Sequence, residues 1–124
     1  MFRLEKEFRF EASHQLPHHD GKCARLHGHS WKGRVVLQGS NLIKEGPKAG
    51  MLIDYTDISA PIKRLVEEVL DHRHLNDSTK LENPTSEELA RWIFEELQQD
   101  FKELLLAVII EETCTSRCEY RQDA

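Results

Sequence analysis

Residues 27–39 read His-Gly-His-Ser-Trp-Lys-Gly-Arg-Val-Val-Leu-Gln-Gly, and their side chains alternate in character along the stretch. Its odd positions are mostly histidine or apolar: His27, His29, Trp31, Val35 and Leu37. Successive side chains of a β-strand point to opposite faces of a sheet, so this alternation predicts a half-buried strand. The two histidines then lie on the same, largely apolar face as the tryptophan.

The segment before it shows the same alternation. In residues 2–12 one parity is apolar, with Phe2, Leu4, Phe8, Phe10 and Ala12. A turn-rich stretch at 17–22, which contains Asp20-Gly21, separates this predicted strand from the next. Continued parity puts His14 on the apolar face. If the two strands pair as neighbours, the rings of His14, His27 and His29 converge.

The rest of the chain predicts two helices and two more strands. A hairpin or loop at 40–50 precedes a helix over about 56–70, where apolar residues recur at helical spacing. A polar loop at 71–84 leads to a second helix, with Thr85 as its cap and Glu88 completing a capping box. A buried strand over 104–110 and a short one at 119–121 follow. The order β-β-α-α-β-β predicts one α+β domain over residues 1–124, a four-stranded antiparallel sheet with both helices on one face.

Composition restricts the function classes. The formal charge is −5 and there is no concentrated basic run, which argues against nucleic acid as a partner. No apolar run approaches the ~20 residues that span a bilayer, and the alternating N-terminus does not resemble a signal peptide. We therefore expect a cytoplasmic protein with no membrane partner. In that compartment the odd set of cysteines, Cys23, Cys114 and Cys118, favours thiols over disulfides.

The converging histidines are candidate metal ligands. Three neutral imidazoles suit zinc, and three protein ligands leave a coordination position open, as in catalytic sites. Iron, nickel and copper also accept imidazole, and zinc is preferred for its abundance. A His-x-His pair alone is common without a metal. His18 and His19 lie in the turn and are expected to be solvated.

Cys23 lies four residues before His27 and has three possible roles. Beside a dication it would shift toward thiolate and act as a base or nucleophile. It could instead be a fourth metal ligand, which would close the site, or simply a buried cysteine.

Three other features of the sequence have both a functional and a structural interpretation. Asp71-His72 could transfer protons or could merely close the preceding helix, whose C-terminal dipole favours histidine. Glu112 follows the most apolar segment, so its carboxylate must be paired, solvated or used. Cys114 and Cys118 have metal-like spacing but no second pair, and their predicted strand context favours a structural role.

Five segments carry a family resemblance. They are Phe10-Glu11-Ala12-Ser13-His14, Cys23-x3-His27-Gly28-His29, Asp71-His72-Arg73-His74-Leu75-Asn76, Glu82-Asn83-Pro84-Thr85-Ser86-Glu87 and Glu112-Thr113-Cys114. In this order they resemble the 6-pyruvoyltetrahydropterin synthase superfamily, and the short gap between Cys23 and His27 is similar to its 6-carboxytetrahydropterin-forming branch. The resemblance implies the tunnelling fold (T-fold), with subunits joined into a barrel, commonly a hexamer of two trimers, and active sites between subunits.

The resemblance also implies a reaction. The substrate would be 7,8-dihydroneopterin triphosphate, converted to 6-carboxytetrahydropterin with loss of acetaldehyde and triphosphate, in queuosine biosynthesis. One zinc per subunit would be held by His14, His27 and His29, with Cys23 as general base and His72, oriented by Asp71, as its partner.

Further residues are implied as contacts of the substrate. Glu112 would anchor the pterin beside Thr113, and Thr85, Ser86 and Glu87 match a stretch near the pterin. For the triphosphate, charge alone suggests Lys22, Arg25 and Arg117. The rival readings are a 6-pyruvoyltetrahydropterin synthase of the same fold and a non-catalytic zinc-stabilised module.

Overall fold

Two long paired strands form the centre of the molecule. The structure, a computed structural model, describes residues 1–122. Strand β1 (Phe2–His14) runs antiparallel to β2 (His27–Gly39), in a register that sets His14 opposite His27. The parity prediction for both strands is therefore confirmed, and β1 continues to His14.

Within residues 1–122 the sheet has five strands in the order β3-β1-β2-β4-β5. Strands β4 (Leu105–Thr113) and β5 (Ser116–Arg121) form an antiparallel hairpin that pairs with β2 through β4. The prediction of four strands was wrong by one. The additional strand β3 (Arg73–His74) is only two residues long and runs parallel to the end of β1. A piece this short carries no periodicity in the sequence.

Both predicted helices are present, with altered ends. Helix α1 (Tyr55–Leu65) passes into a wide π-helical turn (Val66–Leu70), and α3 (Ser86–Phe101) is a regular helix. The predicted loop at 71–84 contains β3 and a single helical turn, α2 (Leu75–Ser78). No helix within residues 1–122 combines the length and the apolar character needed to cross a bilayer.

The core lies between the helices and one face of the sheet. The sheet contributes Phe8, Phe10, Trp31, Val35, Leu37, Val108 and Ile110, and the helices contribute Ile58, Ile62, Leu89, Ile93, Phe94 and Leu97. Replacing a leucine of this set with alanine would cost about 2–5 kcal/mol of unfolding free energy. The other face carries only a small apolar cluster around Val36, Ala107 and Ile109. His14, His27 and His29 share the core-facing parity, so the fold places them at the end of the core.

Candidate metal and catalytic site

Three imidazoles meet at the point where β1 ends and β2 begins. The ring centroids lie 4.5 Å apart for His14 and His27, 5.1 Å for His14 and His29, and 5.0 Å for His27 and His29. Together with Glu112, the three histidines offer ligand atoms that all lie within 4.8 Å of one another. The geometry expected from strand parity is therefore present, with a carboxylate added to it.

Backbone carbonyls fix two of the rings. The Nδ1 of His14 lies 2.9 Å from the Pro84 oxygen, and that of His27 lies 2.7 Å from the Arg25 oxygen. Because a carbonyl only accepts, each Nδ1 carries the proton and each Nε2 keeps a free lone pair. This is how ligand histidines are usually oriented in metal sites.

The remaining polar atoms fit a cation. The Nε2 atoms of His14 and His29 are buried without a hydrogen-bond partner in the described part of the chain. The Oε1 of Glu112 lies 3.1 Å and 3.3 Å from them, in poor hydrogen-bonding geometry. Burial lowers the pKa of both histidines, which favours the neutral imidazole that metals bind. This donor set could hold a metal ion.

Glu112 reaches this group because of the register of β4. Lys32 pairs with Glu111 across β2 and β4, so Glu112 lies one residue further along, on the core-facing parity. Glu111 points to the opposite face, where its carboxylate contacts Arg34 and Arg117. The contact of Glu112 with the histidines is absent from the sequence prediction, because it requires knowing that β4 pairs with β2.

Cys23 shares a cavity with these residues. It lies in a short 3₁₀ turn, Lys22–Ala24, and is half-buried. The cavity has a volume of about 610 Å³ and is lined by Lys22, Cys23, Arg25, Leu26, His27, Gly28, His29, Glu112 and Thr113. Within residues 1–122 the thiol is not part of the metal-donor group. The arrangement favours a thiol beside the metal position over a thiol that closes it.

His72, which contacts Asp71, lies in a different cavity. This second cavity, of about 550 Å³, is lined by residues 11–13, 28–30 and 72–74. It shares only Gly28 and His29 with the cavity of Cys23. One chain therefore does not bring His72 into the cavity that holds Cys23.

Hydrogen bonds to β1 hold the Asp71–His72 pair rigidly. Asp71 accepts the Glu11 N–H at 2.9 Å and contacts the His72 Nδ1 at 2.9 Å, while the His72 N–H donates to the Glu11 oxygen at 2.6 Å. The Glu11 N–H, and then the His72 ring, keep the pKa of Asp71 below its ordinary value. These bonds sustain a φ of 58° at His72, a left-handed conformation that is uncommon outside glycine. The His72 side chain remains 80% exposed.

Comparisons with known proteins identify the family of the chain. The family model described as 6-pyruvoyl tetrahydropterin synthase matches residues 3–123. The chain belongs to this family. It is similar to the 6-carboxy-5,6,7,8-tetrahydropterin synthase of Synechocystis sp., with 49% identity covering 97% of this chain and 93% of the relative. The Haemophilus influenzae protein of the same name is 36% identical, covering 98% of this chain and 100% of the relative.

A solved structure of the family agrees with the fold. The Caenorhabditis elegans 6-pyruvoyl tetrahydropterin synthase superposes with a TM-score of 0.83 at 28% identity, covering 98% of this chain and 96% of that structure. This likeness confirms the α+β tunnelling fold.

The remaining candidates from the family motifs, Thr85, Ser86 and Glu87, lie at the start of helix α3. The Thr85 side chain accepts the Glu88 N–H at 3.1 Å, which confirms the helix cap. Ser86 is the first residue of α3, next to this cap. Burial, and then the negative charge of Glu87, raises the pKa of the Cys118 thiol. Thr85, Ser86 and Glu87 do not line the cavity of Cys23, so their contact with a pterin remains a prediction.

The last two cysteines differ in position. Cys118 lies on β5, whereas Cys114 lies in the exposed turn between β4 and β5. The strand context predicted for Cys114 was therefore wrong. Within residues 1–122 neither thiol joins the metal-donor group.

Proposed function

We propose that the chain is a zinc-dependent carbon–carbon lyase, a 6-carboxy-5,6,7,8-tetrahydropterin synthase. It converts 7,8-dihydroneopterin triphosphate to 6-carboxytetrahydropterin, releases acetaldehyde and triphosphate, and serves queuosine biosynthesis. The observation that carries the proposal is the cavity in which His27 and His29, two of the three clustered imidazoles, lie with Cys23 and Glu112, in a chain 49% identical to a synthase of that name. A cytoplasmic location, and a small-molecule substrate in place of nucleic acid or membrane, are part of the proposal.

The ligands of the zinc are His14, His27 and His29, one ion per subunit. Three nitrogen donors held in their neutral form match the preference of zinc and leave a position for substrate. When bound, the ion supplies Lewis acidity to the hydroxyls of the substrate side chain. Without it, the buried lone pairs of His14 and His29 would lack any partner, at a cost in stability.

The other proposed site residues bind the pterin and transfer protons. The carboxylate of Glu112 accepts two parallel hydrogen bonds from the N–H groups of the pterin, with Thr113 beside it. The Cys23 thiolate takes a proton from a side-chain carbon as general base. His72 handles the opposite proton transfer at its exposed Nε2, because its Nδ1 faces Asp71.

The site is completed between subunits. Cys23 and His72 line different cavities of one chain, and the exposed ring of His72 is available to a second copy. We propose a homo-oligomer, a hexamer built as a dimer of trimers, in which His72 of one subunit faces Cys23 of the next.

A product assay tests the reaction. The zinc-loaded protein is incubated with 7,8-dihydroneopterin triphosphate, and products are identified by mass spectrometry with trapping of volatile aldehydes. We expect equal amounts of 6-carboxytetrahydropterin and acetaldehyde. A pyruvoyl product that keeps the side-chain carbons, with no acetaldehyde, would instead make the chain a 6-pyruvoyltetrahydropterin synthase.

A further inference from the structure

We propose that Lys22 and Arg25 form the subsite that binds the triphosphate of the substrate. This assignment rests on the proposed function and adds to it the residues that hold the charged end of the substrate. Sequence charge alone offered three candidates, which also included Arg117, and the structure separates them.

Lys22 and Arg25 lie in the cavity of Cys23, whereas Arg117 does not. Lys22 and Arg25 both line the cavity that contains Cys23, His27 and Glu112, and both are exposed to solvent there. Arg117 lies on the other face of the sheet, with its Nη1 atom 3.6 Å from Glu111. A ligand in the cavity can therefore contact the first two cations but not the third of the same chain.

Lys22 and Arg25 have no carboxylate partner among residues 1–122. Most lysine and arginine side chains of residues 1–122 lie within 4.0 Å of a carboxylate, but Lys22 and Arg25 do not. Their charge is free for an anion, and the guanidinium of arginine matches phosphate oxygens bidentately. A polyphosphate, with several negative charges, is the matching ligand chemistry.

Backbone hydrogen bonds hold the segment that carries the two cations. The Ala24 N–H donates to the Gly21 oxygen and the Arg25 N–H to the Lys22 oxygen, which close the turn between the two cations. The Cys23 oxygen accepts the Leu16 N–H, and the Arg25 oxygen contacts His27. The cations are thus fixed on the same short segment as the thiol and one metal ligand. A triphosphate held here would set the position of the reacting side chain relative to the thiol.

The opposite ends of the substrate call for opposite charges. Its pterin ring presents N–H donors and its side chain ends in a polyphosphate, while the cavity offers the Glu112 carboxylate and the two cations. Reversed binding would set phosphate against carboxylate, which is unfavourable. Lys22 and Arg25 therefore also determine the orientation of the substrate.

The test compares ligands with and without phosphate. In zinc-loaded Cys23→Ala protein, which binds without turnover, pterin fluorescence gives the Kd for 7,8-dihydroneopterin triphosphate and for phosphate-free 7,8-dihydroneopterin. We expect Lys22→Gln and Arg25→Gln each to raise the Kd of the triphosphate about tenfold or more, because each loses a charged hydrogen bond. The Kd of the phosphate-free ligand should stay within about twofold of the parent value.

Two further variants complete the design. Arg117→Gln removes the same charge outside the cavity and should change neither Kd, while Arg25→Lys keeps the charge and should recover part of the affinity. Equal weakening of both ligands, or no weakening of the triphosphate, would overturn the subsite. If the parent protein binds neither pterin, the proposed function fails, and the subsite fails with it.

Discussion

His14 is the most constrained side chain of the site. It is fully buried, its Nδ1 is held by the Pro84 oxygen, and burial lowers its pKa. Its Nε2 has only a poorly aligned carboxylate nearby. The buried Nε2 without a hydrogen-bond partner would be costly in a histidine that merely filled the core, and together these properties prepare the imidazole to donate a lone pair.

The role of Cys23 can be tested at the level of the single residue. The three proposed ligands, His14, His27 and His29, lie in a donor group that does not include the thiol. We therefore expect Cys23→Ala to keep about one zinc per chain, as measured by elemental analysis. Turnover should fall by about 10²-fold or more, because a general base is lost.

Another thiol of the same chain provides the control. Cys114 lies in an exposed turn outside the donor group, so Cys114→Ala should leave zinc content and turnover unchanged. If Cys23→Ala instead loses both its zinc and its fold, the site is structural, and the chain is a non-catalytic zinc-stabilised module.

The elements differ in how far the sequence could predict them. The long strands and the two main helices follow from periodicities of two and 3.6 residues. Strand parity was enough to bring three histidines together. Strand β3 and helix α2 have no such signal, because tertiary contacts create them. Glu112 joins the site through strand order, which parity does not contain.

Helix α2 holds the end of β1 through one side chain. The Asn76 amide accepts the Gln15 N–H at 2.9 Å, donates to the Gln15 oxygen at 2.7 Å and also donates to the Glu82 oxygen at 3.2 Å. It thereby connects the residue after His14 to the segment that leads into Pro84. The hydrogen bond between His14 and Pro84 depends on this separation.

We expect Asn76→Asp to weaken metal binding. The substitution keeps the shape but sets a carboxylate oxygen against the carbonyls of Gln15 and Glu82, so the two segments move apart. Zinc affinity, measured by competition with a chelator, should fall about tenfold, as it does when outer contacts of ligand histidines are lost. The exposed neighbour Asp77 offers the reverse isosteric change as a control, and Asp77→Asn should keep the parent affinity. An unchanged affinity in folded Asn76→Asp protein would rule out this role.

In residues 1–122 the two outer edges of the sheet lack partner strands along most of their length. Strand β3 pairs with only two residues of the outer edge of β1, and β5 has no strand on its outer side among residues 1–122. Exposed edges of this length readily pair with another chain. A ring of copies joined at these edges would have no free edge left.

Mixed oligomers test whether a neighbour supplies His72. Cys23→Ala and His72→Ala proteins should each be inactive, but when co-assembled they should recover about a quarter of the acetaldehyde release, since random pairing then joins an intact Cys23 to an intact His72. Cys23→Ala mixed with His27→Ala should recover none, because both residues line the same cavity of one chain. Recovery in the first mixture alone requires a site shared by two subunits, and its absence would mean that a single chain completes the site.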